Sequence, residues 1–120
     1  VFINSDKQQL EQVFVNFISN AVYAVKEKGG KRGRITLETF LDDSGDTPMI
    51  EINISDTGVG ISRKDQKSIY EYFYTTKPPG KGTGLGLPIS RNIIKNLGGS
   101  LSFESEPGEG TTFTVRLPVS

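Results

Sequence analysis

Asn16 and Asn20 stand four residues apart in a run with helical spacing, so their amides share one helix face. Gln12 extends that stripe, and phenylalanines and valines fill the opposite side. Two asparagines in mid-helix cost roughly 1 kcal/mol together relative to alanine. A solvated polar stripe is one reading. The other is a hard cation such as Mg²⁺, which amide oxygens suit while substrate phosphates supply further ligands. Asp56-Thr57-Gly58-Val59-Gly60-Ile61 follows a strand-like run, and parity puts Asp56 on the face of Ile50, Ile52 and Ile54. A carboxylate on a buried face needs a partner. An adenine amino group would serve, with Gly58 and Gly60 letting the backbone pass close to a flat ring; an ordinary Asp-Thr-Gly turn is the alternative.

A third group is Gly80-Lys81-Gly82-Thr83-Gly84-Leu85-Gly86-Leu87, glycine at every second place ahead of a helix. Such a loop can aim successive N–H groups and a helix N-terminus at phosphate oxygens, or serve only as a flexible linker. It is neither a Walker A sequence nor a Rossmann fingerprint, because no Gly-Lys-Ser/Thr triplet occurs and no strand directly precedes it. Lys77 and Lys81 lie in or beside this loop and could neutralise phosphates or simply be solvated. Thr111 shares parity with Phe113, Val115 and Leu117, so its hydroxyl points inward, toward the same base as Asp56 or toward local backbone. Tyr23 continues the asparagine face less closely, and packing suits it better than ligand contact. Phe73, in the aromatic run from Tyr70 to Tyr74, reads as an anchor for the neighbouring loop.

These residues need elements to position them. Ser5-Asp6-Lys7-Gln8 resembles a capping box, and Leu10, Val13, Phe14, Phe17, Ile18, Ala21 and Val25 predict a helix to about Lys28, stopped by Gly29-Gly30. Strands are predicted over Arg34 to Leu41 and Met49 to Ser55, around a polar turn from Asp42 to Asp46. Ser62 would cap a short helix ending near Tyr70 or Tyr72. Six glycines and prolines between Tyr74 and Gly86 argue against regular structure there. Pro88 suits the first turn of another helix with an apolar stripe of Ile89, Ile93, Ile94 and Leu97, ended by Gly98-Gly99. A closing hairpin follows, Ser100 to Ser105 and Thr111 to Leu117. The order implies a two-layer α/β sandwich.

At 120 residues the chain fits one domain, spanning 1–120. Fourteen basic residues balance fourteen acidic ones, so no net field draws nucleic acid or an acidic membrane. No apolar run approaches the roughly 18 residues of a membrane span. With no cysteine, disulfides and thiolate chemistry are excluded, and a cytoplasmic setting fits. With no histidine, the chain has no imidazole base, ligand or phosphoryl acceptor.

Taken together these pieces resemble the GHKL (Bergerat-fold) superfamily of ATP-binding domains and, within it, the histidine kinases. Asn16-Phe17-Ile18-Ser19-Asn20-Ala21 looks like an N box, Asp56 to Ile61 like a G1 box, Tyr70 to Phe73 like an F box, and Gly82 to Leu87 like a G2 box. Gly108 to Phe113 is similar to the family's final hairpin, and Thr75-Thr76-Lys77 with Pro88 resembles the nitrogen-regulation kinases. The resemblance implies a mixed sheet packed on three helices, with a mobile ATP lid over about Ser62 to Gly82. It implies Mg²⁺ on Asn20, with Asn16 supporting metal or phosphate, and Asp56 on the adenine amino group through water shared with Thr111. Gly58, Gly60 and Ile61 would frame the base, and Lys77, Gly82, Thr83, Gly84, Leu85, Gly86 and Leu87 would meet the phosphates. The pattern departs at Tyr23, where many histidine kinases carry lysine, and at Tyr70 and Tyr72, in place of phenylalanine and often proline.

The implied function is transfer of the γ-phosphoryl group of Mg-ATP to a histidine on a dimerisation domain, for onward passage to a response regulator. Related ATPases and anti-sigma serine kinases generally carry glutamate at the place of Asn16, and an amide cannot activate water. A GHKL ATPase or a nucleotide-sensing module is the alternative. The expected chain is a monomeric fragment whose histidine-bearing helices lie elsewhere in its parent.

Overall fold

The computed structural model describes residues 7–30, 32–71 and 86–119. Helix α1 (Lys7–Lys28) buries Val13, Phe17 and Ala21 at four-residue spacing. Its end falls at Gly29 and Gly30, both at positive φ (74° and 92°), where a side chain would be strained. Strands β1 (Ile35–Asp42) and β2 (Met49–Asp56) form the first hairpin. In the short helix α2 (Arg63–Gln66), the Ser62 hydroxyl accepts the Asp65 N–H at 3.1 Å, the capping read from sequence. Helix α3 (Gly86–Asn96) carries Pro88 in its first turn. It closes with Gly98 N–H on the Lys95 carbonyl and Gly99 N–H on the Ile94 carbonyl, with Gly98 at φ 81°. Strands β3 (Ser100–Glu106) and β4 (Gly110–Pro118) complete the sheet.

The strand order is β1-β2-β4-β3. Among the described residues all three pairings are antiparallel, which corrects the expected mixed sheet. Each hairpin is antiparallel by its tight turn, and the inner strands β2 and β4 also run in opposite directions.

That register lays the inward side chains out in rows. Ile50 faces Leu117. Ile52 faces Val115, which faces Leu101, and Ile54 faces Phe113, which faces Phe103. These rows join Val13, Phe17, Ile93 and Ile94 in the core. The Phe113 ring lies 5.0 Å from that of Phe17 and 5.7 Å from that of Phe103. Each such fully buried side chain contributes about 1.5–3 kcal/mol. The fourth row breaks the pattern: Asp56 faces Thr111, which faces Ser105.

Candidate functional site

The polar row lies at the end of the sheet where β2 leaves for the Gly58–Ile61 loop. Asp56 is half-buried, as its parity required, and its carboxylate accepts the Gly58 N–H at 2.9 Å. Burial pushes its carboxyl above the ordinary carboxylate value, against the opposing effect of backbone N–H bonds from Gly58 and Thr111. Thr111 is buried at 6% exposure and lies directly across from Asp56. The two residues singled out for one base therefore meet at one place.

The glycines of this loop have structural reasons of their own. A side chain on Gly58 would come within 2.6 Å of the Ala24 methyl on α1, and the Val59 N–H binds the Ala24 carbonyl at 3.2 Å. Gly60, at φ 71°, would collide with the Glu106 carbonyl of the second hairpin. The loop is thus clamped between α1 and the β3–β4 turn, where Gly108 N–H also reaches the Val59 carbonyl at 2.7 Å. Ile61 is half-buried and its N–H donates to the Ser105 hydroxyl at 2.8 Å.

Asn16 is more constrained than its place on an exposed stripe implied. Its amide nitrogen donates to the Gly86 carbonyl at 3.2 Å and to the Ser90 hydroxyl at 3.0 Å, at the start of α3. Its amide oxygen accepts from Gln12 at 2.9 Å. A carbonyl only accepts, so Gly86 fixes which end of the amide faces α3. Both N–H groups are spent, and what Asn16 retains is the second lone pair of its oxygen. Asn20, one turn on, is half-buried on the same face. Among the described residues no group of three acidic, histidine or cysteine side chains could hold a metal. Two amide oxygens fit a magnesium ion that arrives with phosphate ligands, and fit a bare ion poorly.

Gly86 and Leu87 open α3 and are half-buried, beside Asn16. Lys77, Lys81, Phe73, Gly82, Thr83, Gly84 and Leu85 lie outside the described residues. Tyr23 is half-buried, and its phenol is pushed up by desolvation and then by the charge and hydrogen bond of Glu27 one turn along, so it turns to its own helix. Tyr70 packs edge-on to Phe103, centroids 6.0 Å apart, beneath the Arg91 guanidinium at 4.9 Å. Its hydroxyl is buried with no hydrogen-bond partner among the described residues.

Two residues escaped sequence reasoning. Ser90 is fully buried, and its spacing from Leu87 and Ile94, which puts a hydroxyl inside an apolar helix stripe, is the signal that could have found it. Ser105 shares strand parity with Leu101 and Phe103, the same signal that picked out Thr111. No helix among the described residues is long and apolar enough to cross a membrane.

Residues 5–120 match the family model described as histidine kinase-, DNA gyrase B- and HSP90-like ATPase. The chain is 42% identical over 117 residues to sporulation kinase C of Bacillus subtilis, covering 98% of this chain and 25% of that protein. It is 41% identical over 119 residues to the signal transduction histidine-protein kinase AtoS of Escherichia coli, covering 98% of this chain and 18% of that one. The chain thus spans a quarter or less of the length of these curated relatives. Among solved structures, the mycobacterial sensor histidine kinase MprB superposes with a TM-score of 0.79 at 25% identity, over 98% of this chain and 76% of that one. Full-length ShkA in complex with AMPPNP gives 0.76 at 28% identity, over 93% of this chain and 22% of its own.

Proposed function

Since the chain belongs to the histidine kinase-, DNA gyrase B- and HSP90-like ATPase family, we propose that it is the ATP-binding catalytic domain of a sensor histidine kinase. It holds Mg-ATP and presents the γ-phosphate to a histidine on a separate dimerisation domain, from which the phosphoryl group passes to a response regulator. The observation that carries this reading over the ATPase alternative is the state of Asn16. Both its N–H groups are committed to α3 and its oxygen is an amide oxygen, so it cannot take a proton from water at neutral pH.

The remaining roles are those the family resemblance implies. Asp56 accepts from the adenine amino group, with Thr111 beside it, and Gly58, Gly60 and Ile61 frame the base. Asn20 supplies the magnesium ligand, supported by the Asn16 oxygen. When bound, Mg²⁺ offsets charge on the transferring phosphoryl group. Lys77 adds positive charge from the lid, and the backbone from Gly82 to Leu87 cradles the phosphates. The chain's contribution is positioning and charge, and the partner brings the imidazole in line. We place the domain in the cytoplasm as one unit spanning 1–120, monomeric when isolated.

Radiolabel transfer from γ-labelled ATP, with and without the parent's histidine-bearing domain, tests the proposal. The expected product is an acid-labile, base-stable phosphoryl group on the partner, with no appreciable phosphate release by the chain alone. Brisk release by the chain alone would favour an ATPase, and binding without transfer to the correct partner a nucleotide sensor.

A further inference from the structure

The sheet has a second face, turned away from the helices and from the polar row. There the register puts Glu38 at the β1 end of one row and Glu104 at the β3 end of the next, with Asn53, Ser55, Thr112 and Thr114 between them. These side chains line a groove of about 370 Å³, within the range of small-molecule sites. Its floor is paired with itself: the Ser55 and Thr112 hydroxyls lie 2.9 Å apart, and Thr114 donates to the Asn53 amide oxygen. Hydroxyl and amide oxygens bonded in this way keep spare lone pairs and carry no charge.

The charge lies at the two ends. Arg116, on the same face, is divided between Glu51 at 3.0 Å and Asp42 at 2.9 Å. Glu38 and Glu104 are exposed and have no ion pair among the described residues. Three strand spacings and a two-residue offset put their backbones about 16 Å apart on the diagonal. Phe40 follows Glu38 by two residues on the same face and is 50% exposed. A cation held by the Glu38 carboxylate would rest beside that ring, where the quadrupole favours it.

We propose that this groove binds a linear polyamine, with one ammonium on Glu38 beside Phe40 and another on Glu104. Each ammonium carries N–H donors for a carboxylate and for the lone pairs of the floor, and the methylene stem covers Phe40. The two carboxylates stand too far apart to share one metal ion, and no group of three acidic side chains among the described residues could hold one. A protein partner would need upwards of about 1,000 Å² around apolar anchors, and this groove offers a single ring. The site lies across the sheet from the nucleotide row, so binding needs no ATP.

The test is calorimetric titration of the nucleotide-free 120-residue chain with spermidine at low ionic strength. Wild type should bind saturably at one site. Glu38→Gln with Glu104→Gln should weaken binding about tenfold, the scale of two exposed ion pairs, and Phe40→Ser about two- to fivefold. All three positions are exposed, so the variants should fold as wild type does. Asp46→Asn with Glu109→Gln removes the same charge from two exposed turns and should leave binding unchanged. Equal weakening by the two double variants would reduce the effect to diffuse charge and overturn the proposal. Absence of saturable binding would do the same, as would unchanged affinity in Phe40→Ser. Displacement of spermidine by an equal concentration of magnesium chloride would give the groove to a metal, and tighter binding of a capped Lys-Gly-Gly-Lys peptide would give it to a protein; either result overturns the polyamine assignment.

Discussion

The two ends of one sheet face are built from the same strands with the same parity, and they do opposite work. Three rows present isoleucine, leucine, valine and phenylalanine to the helices, and the fourth presents Asp56, Thr111 and Ser105. The apolar rows pack against the helices and hold the sandwich together. The polar row satisfies most of its hydrogen bonds internally, yet it keeps a carboxylate whose ionisation is resisted by burial. In the proposed function, the recognition site is one row of side chains exchanged at the end of an otherwise ordinary core.

The sharpest break of this contrast lies in the third row. Phe113→Ala removes the ring that touches both Phe17 and Phe103, and should cost about 3–5 kcal/mol of stability. Denaturant unfolding measures it. Thr111→Val, one pair along, should change stability far less while weakening nucleotide binding. If the two substitutions destabilise alike, the division of labour is wrong.

Magnitudes fall at the carboxylates. Asp56 is raised in the folded chain, so its ionisation opposes folding above that raised value. The penalty is relieved as pH falls from there toward the ordinary carboxylate value. Asp42, on the opposite sheet face, is held down to about 2 by bonds from Ser44 and then Arg116. Its contribution is present above the ordinary value and is lost as pH falls through about 2. Unfolding of the nucleotide-free chain against pH should therefore show Asp56 relief first and Asp42 loss at lower pH. Asp56→Asn should abolish the first component alone; persistence of that component would assign it elsewhere.

The smallest effect expected is at Tyr70, whose hydroxyl, without a partner among the described residues, intrudes on the apolar side beside Phe103. Tyr70→Phe should leave stability unchanged or raise it by up to about 1 kcal/mol, since it removes a buried polar atom that has no partner among the described residues. A clear loss in thermal unfolding would mean that the phenol has a favourable role.

Most of the framework was legible because periodicity survives folding. Ile50 to Asp56 and Thr111 to Leu117 alternate in sequence as they do in the sheet, and parity alone brought Asp56 and Thr111 to one face. Ser105 obeyed the same parity but looked like Ser100 and Ser102, which point outward, so its chemistry waited on the register. The commitment of Asn16 to Gly86 and Ser90 was illegible for a different reason. It joins residues about seventy positions apart, and no local pattern encodes the approach of α1 to α3. The antiparallel pairing of β2 with β4 is likewise nonlocal.

The central claim is that the polar row receives the base, and calorimetric titration of wild type and Asp56→Ala with ATP and GTP tests it most directly. Wild type should bind ATP in preference to GTP. Asp56→Ala should lose about tenfold to a hundredfold in ATP affinity, the scale of one hydrogen bond to a charged group, with its unfolding midpoint near wild type. ATP affinity unchanged by the substitution would remove Asp56 from the site and contradict the account.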